Sequence, residues 1–262
     1  MTVYANADKA RRVHTPTPQP MARLPLHAEL YLLAHNDDTG ELHINEQSLT
    51  IGLAGAILLD LWLAGHIEIG WTFNEWTQQW KPEPGRLTRI KTEPGGDPLT
   101  DAALAAVEQT GRMGLRGDQT RAWLRGFAAS GLYERVRANL ITVGLLQRTR
   151  RHRFAGLVKT ETYLAVHDAF AVRARARVRN AVTFHERQSA YQHEAPDDQC
   201  VALCGLVAVL ELAEYLYVSG LSIGRLAEWL RYAVEQHKKP TISTVITAVD
   251  AGRGDLAVAA MR

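Results

Sequence analysis

Arginine is the chemistry this sequence carries in excess. Between Arg112 and Arg179 stand 15 Lys and Arg against 4 Asp and Glu, a net of +11 in a chain whose total is only +2, leaving −9 for the rest. A planar guanidinium with five donors meets phosphate or carboxylate bidentately, whereas a lysine ammonium acts as a point charge. The charge falls in three clusters: Arg112, Arg116, Arg121 and Arg125; Arg148, Arg150, Arg151 and Arg153; Arg173, Arg175, Arg177 and Arg179. A single run of this kind is ordinarily a solvated face. Several converging on one surface would gain roughly 1 kcal/mol per basic residue against an anionic leaflet, in a salt-sensitive manner. In the third cluster, helical geometry puts Arg173 with Arg177 and Arg175 with Arg179, so only half of it can serve any one surface.

The second feature is aromatic. From Ile67 to Thr92 the pattern alternates as in strands, IEIGWTF, passes through a polar connection around Lys81-Pro82-Glu83-Pro84-Gly85, and resumes as RLTRIKT, which predicts a β-hairpin. Trp71, Phe73, Trp76 and Trp80 gather three of the chain's six tryptophans there, flanked by Lys81, Arg86, Arg89 and Lys91. Trp beside Lys and Arg suits a membrane interface. The same rings would serve equally to cap a core or to bury themselves in a dimer contact.

Catalytic spellings are weaker. Gly220-Leu221-Ser222-Ile223-Gly224 matches the nucleophile-elbow pattern, but a helical run precedes it where that elbow needs a strand; Gly220 reads as a helix C′ residue and Ser222 as the next N-cap. The histidines, His27, His35, His43 and His66 among them, show no zinc spacing, so no metal site and no cofactor are expected. Gly111, Gly114 and Gly117 alternate with Arg112 and Arg116 without a P-loop signature and read as a basic loop; Arg116-Gly117-Asp118 is a chance spelling. No recognition-helix or stacking signature accompanies the basic residues, so nucleic acid is not an expected partner.

The elements that must carry these residues are mainly helical. The 262 residues, 46% hydrophobic and 22% charged, suffice for one domain. Leu24, Leu26, Leu30, Leu32 and Leu33 give a helical apolar face, Asn36 to Gly40 is a turn cluster, and Gly52 to Ala64 is a nearly all-apolar helix ended at Gly65. Residues 1 to 23, with Pro16, Pro18 and Pro20 among small polar residues and no apolar signal region, read as a disordered tail. Cys200 and Cys204, four apart in an apolar run, share a helix face as core residues and point to a reduced, cytoplasmic setting. Glu211 and Glu214 interrupt the run from Cys200 to Val218, which therefore predicts a buried helix and not a membrane span.

Together the E-L-Y-L-L-A opening, the D-D-x-G turn and the G-L-A-G-A-x-L-L-D-L helix with a short strand at His66 to Ile69 resemble the Golgi phosphoprotein 3 family. Arg135 to Leu146, with its N-L-x-x-x-G-x-L ending, is similar to a later family helix, as are Tyr163 to Val182 and Cys200 to Leu216. The resemblance implies a mainly α fold, a single globular helical domain over residues 24 to 262 with a projecting β-hairpin. It also implies no enzymatic chemistry, and a basic surface that binds phosphatidylinositol 4-phosphate. The family pocket uses one Trp and three Arg; the corresponding positions here hold Asn45, Ala54, Ser130 and Tyr133, which do not reproduce them. Arg121 and Arg125, four apart on TRAWLRGF, are the first candidates to take over the headgroup, and Arg135 and Arg137 the second. The Arg-rich, Lys-poor and Ala-rich usage is that of a high-GC bacterial gene.

The expectation is a cytoplasmic, reversibly membrane-associated protein whose partner is an anionic membrane lipid. Trp71, Phe73, Trp76 and Trp80 would insert into the membrane or build a homo-oligomer. The rival expectation is an interaction module that self-associates through the hairpin and binds no lipid.

Overall fold

The computed structural model describes residues 23–74, 76–113, 118–153, 158–186, 195–216 and 222–260. The tail expected over residues 1 to 23 lies outside them except for Arg23, as do Gly114, Arg116, Gly117 and Gly220. The chain is mainly α, a single helical domain built around one long apolar helix. Helices α1 (Leu26–Leu33) and α2 (Glu46–Leu63) are joined through the turn at Asn36, whose side chain accepts from the N–H groups of Asp38 and Thr39. Gly40 closes that turn at φ +69°, a left-handed conformation that side-chain-bearing residues rarely adopt.

Helix α2 begins at Glu46, ahead of the expected Gly52, because Asn45 caps it. Asn45 accepts from Gln47 N–H at 2.8 Å and Ser48 N–H at 3.4 Å, satisfying two donors that the first helical turn leaves open. It ends at Gly65, with φ +69°. A helix apolar on all sides must be surrounded. Of the 18 residues of α2, 11 are buried, so a segment long and apolar enough to cross a membrane is here a core helix.

The surrounding elements are α3 (Pro98–Arg112), α4 (Gln119–Ala128), α5 (Leu132–Thr142), α6 (Ala169–Glu186), α7 (Asp198–Val209), α8 (Ile223–Glu235) and α9 (Pro240–Ala260). Helices α1, α4, α5, α7 and α9 pack directly on α2. The expected helix from Cys200 to Leu216 stops earlier: α7 ends at Val209, Glu211 takes φ +59°, and a 3-10 turn, Leu212–Leu216, follows. Cys200 and Cys204 are both buried and free.

Two antiparallel hairpins leave the helical body: β1 (Ile67–Asn74) with β2 (Gln79–Arg89), and β3 (Leu146–Arg153) with β4 (Val158–Ala165). The first is the expected one, but its reversal lies between Asn74 and Gln79, not at Lys81 to Gly85. Asn74 accepts from Trp76 and Thr77 N–H groups and so makes the turn itself. The Pro82-Glu83-Pro84-Gly85 segment stays in β2, where a register irregularity between Ile69 and Trp71 absorbs it. A two-stranded sheet has only edges, which tolerate proline. The second hairpin corrects the expected helix from Tyr163 to Val182: Tyr163 pairs with Arg148 across the hairpin, and α6 starts only at Ala169.

Much of the third arginine cluster fastens α6 to this body. Arg175 donates through both terminal nitrogens to Asp37 at 2.7 and 2.8 Å, and one nitrogen of Arg177 spans both oxygens of Glu29 at 2.5 and 2.7 Å. Glu29 is buried, and desolvation raises its pKa in spite of the Arg177 charge.

The glycines of α2 set how closely its neighbours approach. A Cβ added at Gly52 would lie 2.5 Å from Leu210 Cδ1, and one at Gly55 would lie 2.4 Å from Val249 Cγ2 on α9. In an open helix Gly→Ala is favourable by about 0.8–1.0 kcal/mol. At this contact Gly55→Ala is expected instead to destabilise the protein by about 1–3 kcal/mol, through overpacking against a stiff β-branched side chain. Urea unfolding checks this, with Gly55→Ala/Val249→Ala recovering much of the loss; a single variant as stable as wild type would refute the close approach.

Candidate functional site

The first hairpin divides into an anchored base and a projecting end. Ile67, Ile69 and Leu87 are buried in the core, and Gly70, at φ +81°, marks the irregularity beyond which the strands stand clear. The base cations are engaged: Arg89 pairs with Glu108, and Lys91 donates to the Ala64 carbonyl at 2.9 Å. Past Gly70, Phe73 stands opposite Trp80 and Trp71 opposite Pro82. Period-two alternation therefore sets Trp71, Phe73, Trp80 and Pro82 on one face and Thr72 and Lys81 on the other.

The Phe73 and Trp80 rings meet at 5.4 Å with a 57° tilt, which leaves both partly open. Exposure reaches 38% for Trp71 and Phe73, 42% for Trp80 and 97% for Trp76 at the turn. The reading in which these rings cap the core does not hold, because the core lies under the other half of the hairpin. Aromatic rings left in solvent together on a projecting element are the kind of patch that interaction surfaces expose.

Three of the four candidate headgroup arginines, Arg121, Arg135 and Arg137, are held by separate partners. On α4, one terminal nitrogen of Arg121 spans both oxygens of Asp255 on α9, at 2.8 and 2.7 Å, and that hydrogen bond holds the Asp255 carboxyl below the usual carboxylate range. Arg125 is exposed one turn further along. Arg135 and Arg137, two apart on α5, diverge by about 200°. Arg135 lies 5.1 Å over the Phe127 ring and donates to Ser130 Oγ at 2.9 Å. Arg137 pairs with Glu134 and lies 4.2 Å from the Tyr163 ring and 5.5 Å from that of Tyr133.

Asn45, Ala54, Ser130 and Tyr133, the positions that the resemblance sets against the family pocket, have structural duties. Asn45 is the α2 cap, Ala54 is fully buried, and Ser130 donates to the Phe127 carbonyl at 2.6 Å. Tyr133 belongs to a stack of three rings with Tyr31 and His35. The tautomer follows from the partners: a carbonyl only accepts, so His35 Nδ1–H donates to Tyr31 O at 2.6 Å, and Nε2 accepts from the Tyr133 hydroxyl at 2.9 Å. Burial then lowers the His35 pKa to about 4.

The second hairpin was not anticipated, since LQRTRRHR has no apolar alternation to announce a strand. Its signal lay in Thr149, Thr160, Thr162 and Tyr163, residues favoured in strands. It carries the whole Arg148 to Arg153 cluster on β3, with Arg148 paired to Glu161. Ser222 is the N-cap of α8, accepting from Arg225 N–H at 3.4 Å, which is the structural duty expected of it. Among the described residues no group of three His, Cys, Asp or Glu is placed to hold a metal.

A helical domain with one apolar helix wrapped on all sides and an aromatic hairpin standing out of it defines a scaffold that presents surfaces. The family model described as Golgi phosphoprotein 3 (GPP34) matches residues 26–254, and the chain belongs to that family. No curated protein matches it significantly.

The histidine stack yields a pH dependence. The unfolded imidazole titrates near 6.5, and the folded one only at about 4. Between these values the unfolded chain holds more protons, so stability is complete above about pH 6.5 and falls by roughly 3 kcal/mol as pH drops to about 4. Urea unfolding across that range is expected to show wild type losing this increment relative to His35→Gln; parallel curves for the two would refute a neutral, buried His35.

Proposed function

We propose that this protein docks reversibly on anionic membrane surfaces, with the aromatic end of the first hairpin entering the interface and basic side chains drawing it to phosphatidylinositol 4-phosphate or a similar anionic headgroup. The observation that carries this reading is the set Trp71, Phe73, Trp76 and Trp80, exposed together on a hairpin whose base is locked into the core. Lys81 is exposed on the opposite face, and Arg125 and Arg148 remain accessible on the body and the second hairpin. A weak apolar insertion and a weak electrostatic attraction are each marginal alone, and together they give useful adsorption. Family membership supports the reading. The duties of Asn45, Ala54, Ser130 and Tyr133 argue that any headgroup contact comes from other residues.

A second reading is favoured by the Phe73–Trp80 pair and the free strand edges beside it, which also suit self-association through the hairpin without lipid.

Co-sedimentation with vesicles separates the two. Neutral liposomes are compared with liposomes holding phosphatidylinositol 4-phosphate or only generic anionic lipid, at two salt concentrations. Trp76→Ser/Trp80→Ser is expected to abolish most binding to anionic vesicles, and Arg125→Glu to weaken it with a reduced salt dependence. Absence of wild-type binding to every vesicle, with the tryptophan variant instead shifting the sedimenting mass, would select self-association.

A further inference from the structure

Helix α7 carries two thiols that take no part in the surfaces described above. Cys200 and Cys204 are 6% and 0% exposed, and both are free. Four residues apart, they lie on one face of the helix. The Cys204 thiol donates to the Cys200 sulfur, and Cys200 Sγ in turn donates to the Arg177 carbonyl at 3.4 Å. The two sulfurs are therefore turned toward one another.

Their spacing discriminates between the reactions open to a thiol pair. Residues i and i+4 hold their Cβ atoms about 5–6 Å apart, whereas a disulfide takes about 3.5–4.5 Å, so a disulfide would first have to break the opening turn of α7. That turn is capped by Asp197, which accepts from Cys200 N–H at 2.8 Å. An ion bonded to both sulfurs removes the mismatch, because two metal–sulfur bonds of about 2.3 Å span up to roughly 4.6 Å.

The donor set then selects the ion. Two thiolates with no third His, Cys, Asp or Glu ligand among the described residues do not complete the tetrahedral shell of a structural zinc. Soft thiolates favour Cu(I), for which two ligands in a line suffice. Once both thiol protons have left to solvent, a Cu(I) bis-thiolate carries one negative charge, which burial penalises unless a cation compensates it. Arg177 is near enough to act on both thiols, and Arg23 on Cys200. The opposing carboxylates, Glu29 and Asp197, are engaged by Arg177 and Arg23. These four residues and Arg173 line a cleft of about 280 Å3, and three arginines against two carboxylates leave it at +1, the charge that the complex needs.

We propose that Cys200 and Cys204 together bind one Cu(I) ion as a two-coordinate bis-thiolate inside the helical body. The site shares no residue with the first hairpin or with the candidate headgroup arginines, and the proposal does not depend on membrane docking.

The test is anaerobic titration of the reduced full chain with Cu(I) in competition with the chelator bicinchoninate. Wild type is expected to withdraw one Cu(I) per chain with no change in sedimenting mass. Cys200→Ala and Cys204→Ala should each lose this binding, with thermal melts showing that they fold. X-ray absorption at the copper edge of the wild type should find two sulfur neighbours and no nitrogen or oxygen, a readout that stands even where a variant fails to fold. Failure of wild type to compete, wild-type binding by either folded cysteine variant, nitrogen or oxygen ligation, or one ion shared between two chains overturns the proposal. So does equal occupancy by Zn(II), which two thiolates alone should hold far more weakly.

Discussion

The structure depends on the burial of α2. A helix apolar on every side cannot lie on a surface, so other helices must close around it, and α1, α4, α5, α7 and α9 do so. Gly52 and Gly55 let Leu210 and Val249 approach to distances no larger residue would permit. Close packing of this kind responds to a single added methyl, because interiors at crystal-like density have nowhere to move it. With so much of the helical surface committed inward, the two hairpins stand out as projecting elements among the described residues.

Arginine illustrates how one residue type divides between these tasks. Arg175 and Arg177 sit in the same basic run as Arg173 and Arg179, yet they reach inward to Asp37 and Glu29 and hold α6 to α1 and its following turn. Truncating one partner of such a buried pair leaves a charge without compensation, which is why these arginines belong to the fold. Arg121 is similarly committed to Asp255, whereas Arg125 one turn away is exposed. The net charge of the middle segment therefore overstates the basic surface it presents.

Local signals were legible wherever a residue's duty is set by its immediate neighbours. The Asn36 turn, the stop at Gly65, the Ser222 cap and the first hairpin follow from side chains that satisfy nearby backbone groups or alternate with period two. The reversal of that hairpin was misplaced because Pro82 and Gly85 signal a turn more strongly than Asn74, and only strand pairing shows that they are carried within β2. The second hairpin escaped notice because the β3 sequence is polar after Leu146, so it lacks the alternation that burial of one face imposes.

The sequence by itself determined that Gly52 to Ala64 is a nearly all-apolar helix, that the chain is mainly helical, that Trp71, Phe73, Trp76 and Trp80 share one hairpin, and which family pattern the chain follows. These rest on periodicity and composition, which act over a few residues. Only the tertiary structure decided which arginines are occupied, because each acidic partner lies far along the chain, Asp255 for Arg121 and Asp37 for Arg175. It likewise decided that Tyr133 closes on His35, and that Gly126 faces open space where Gly55 faces Val249. A glycine reads the same in every sequence, and its meaning is set by the element that folding brings against it.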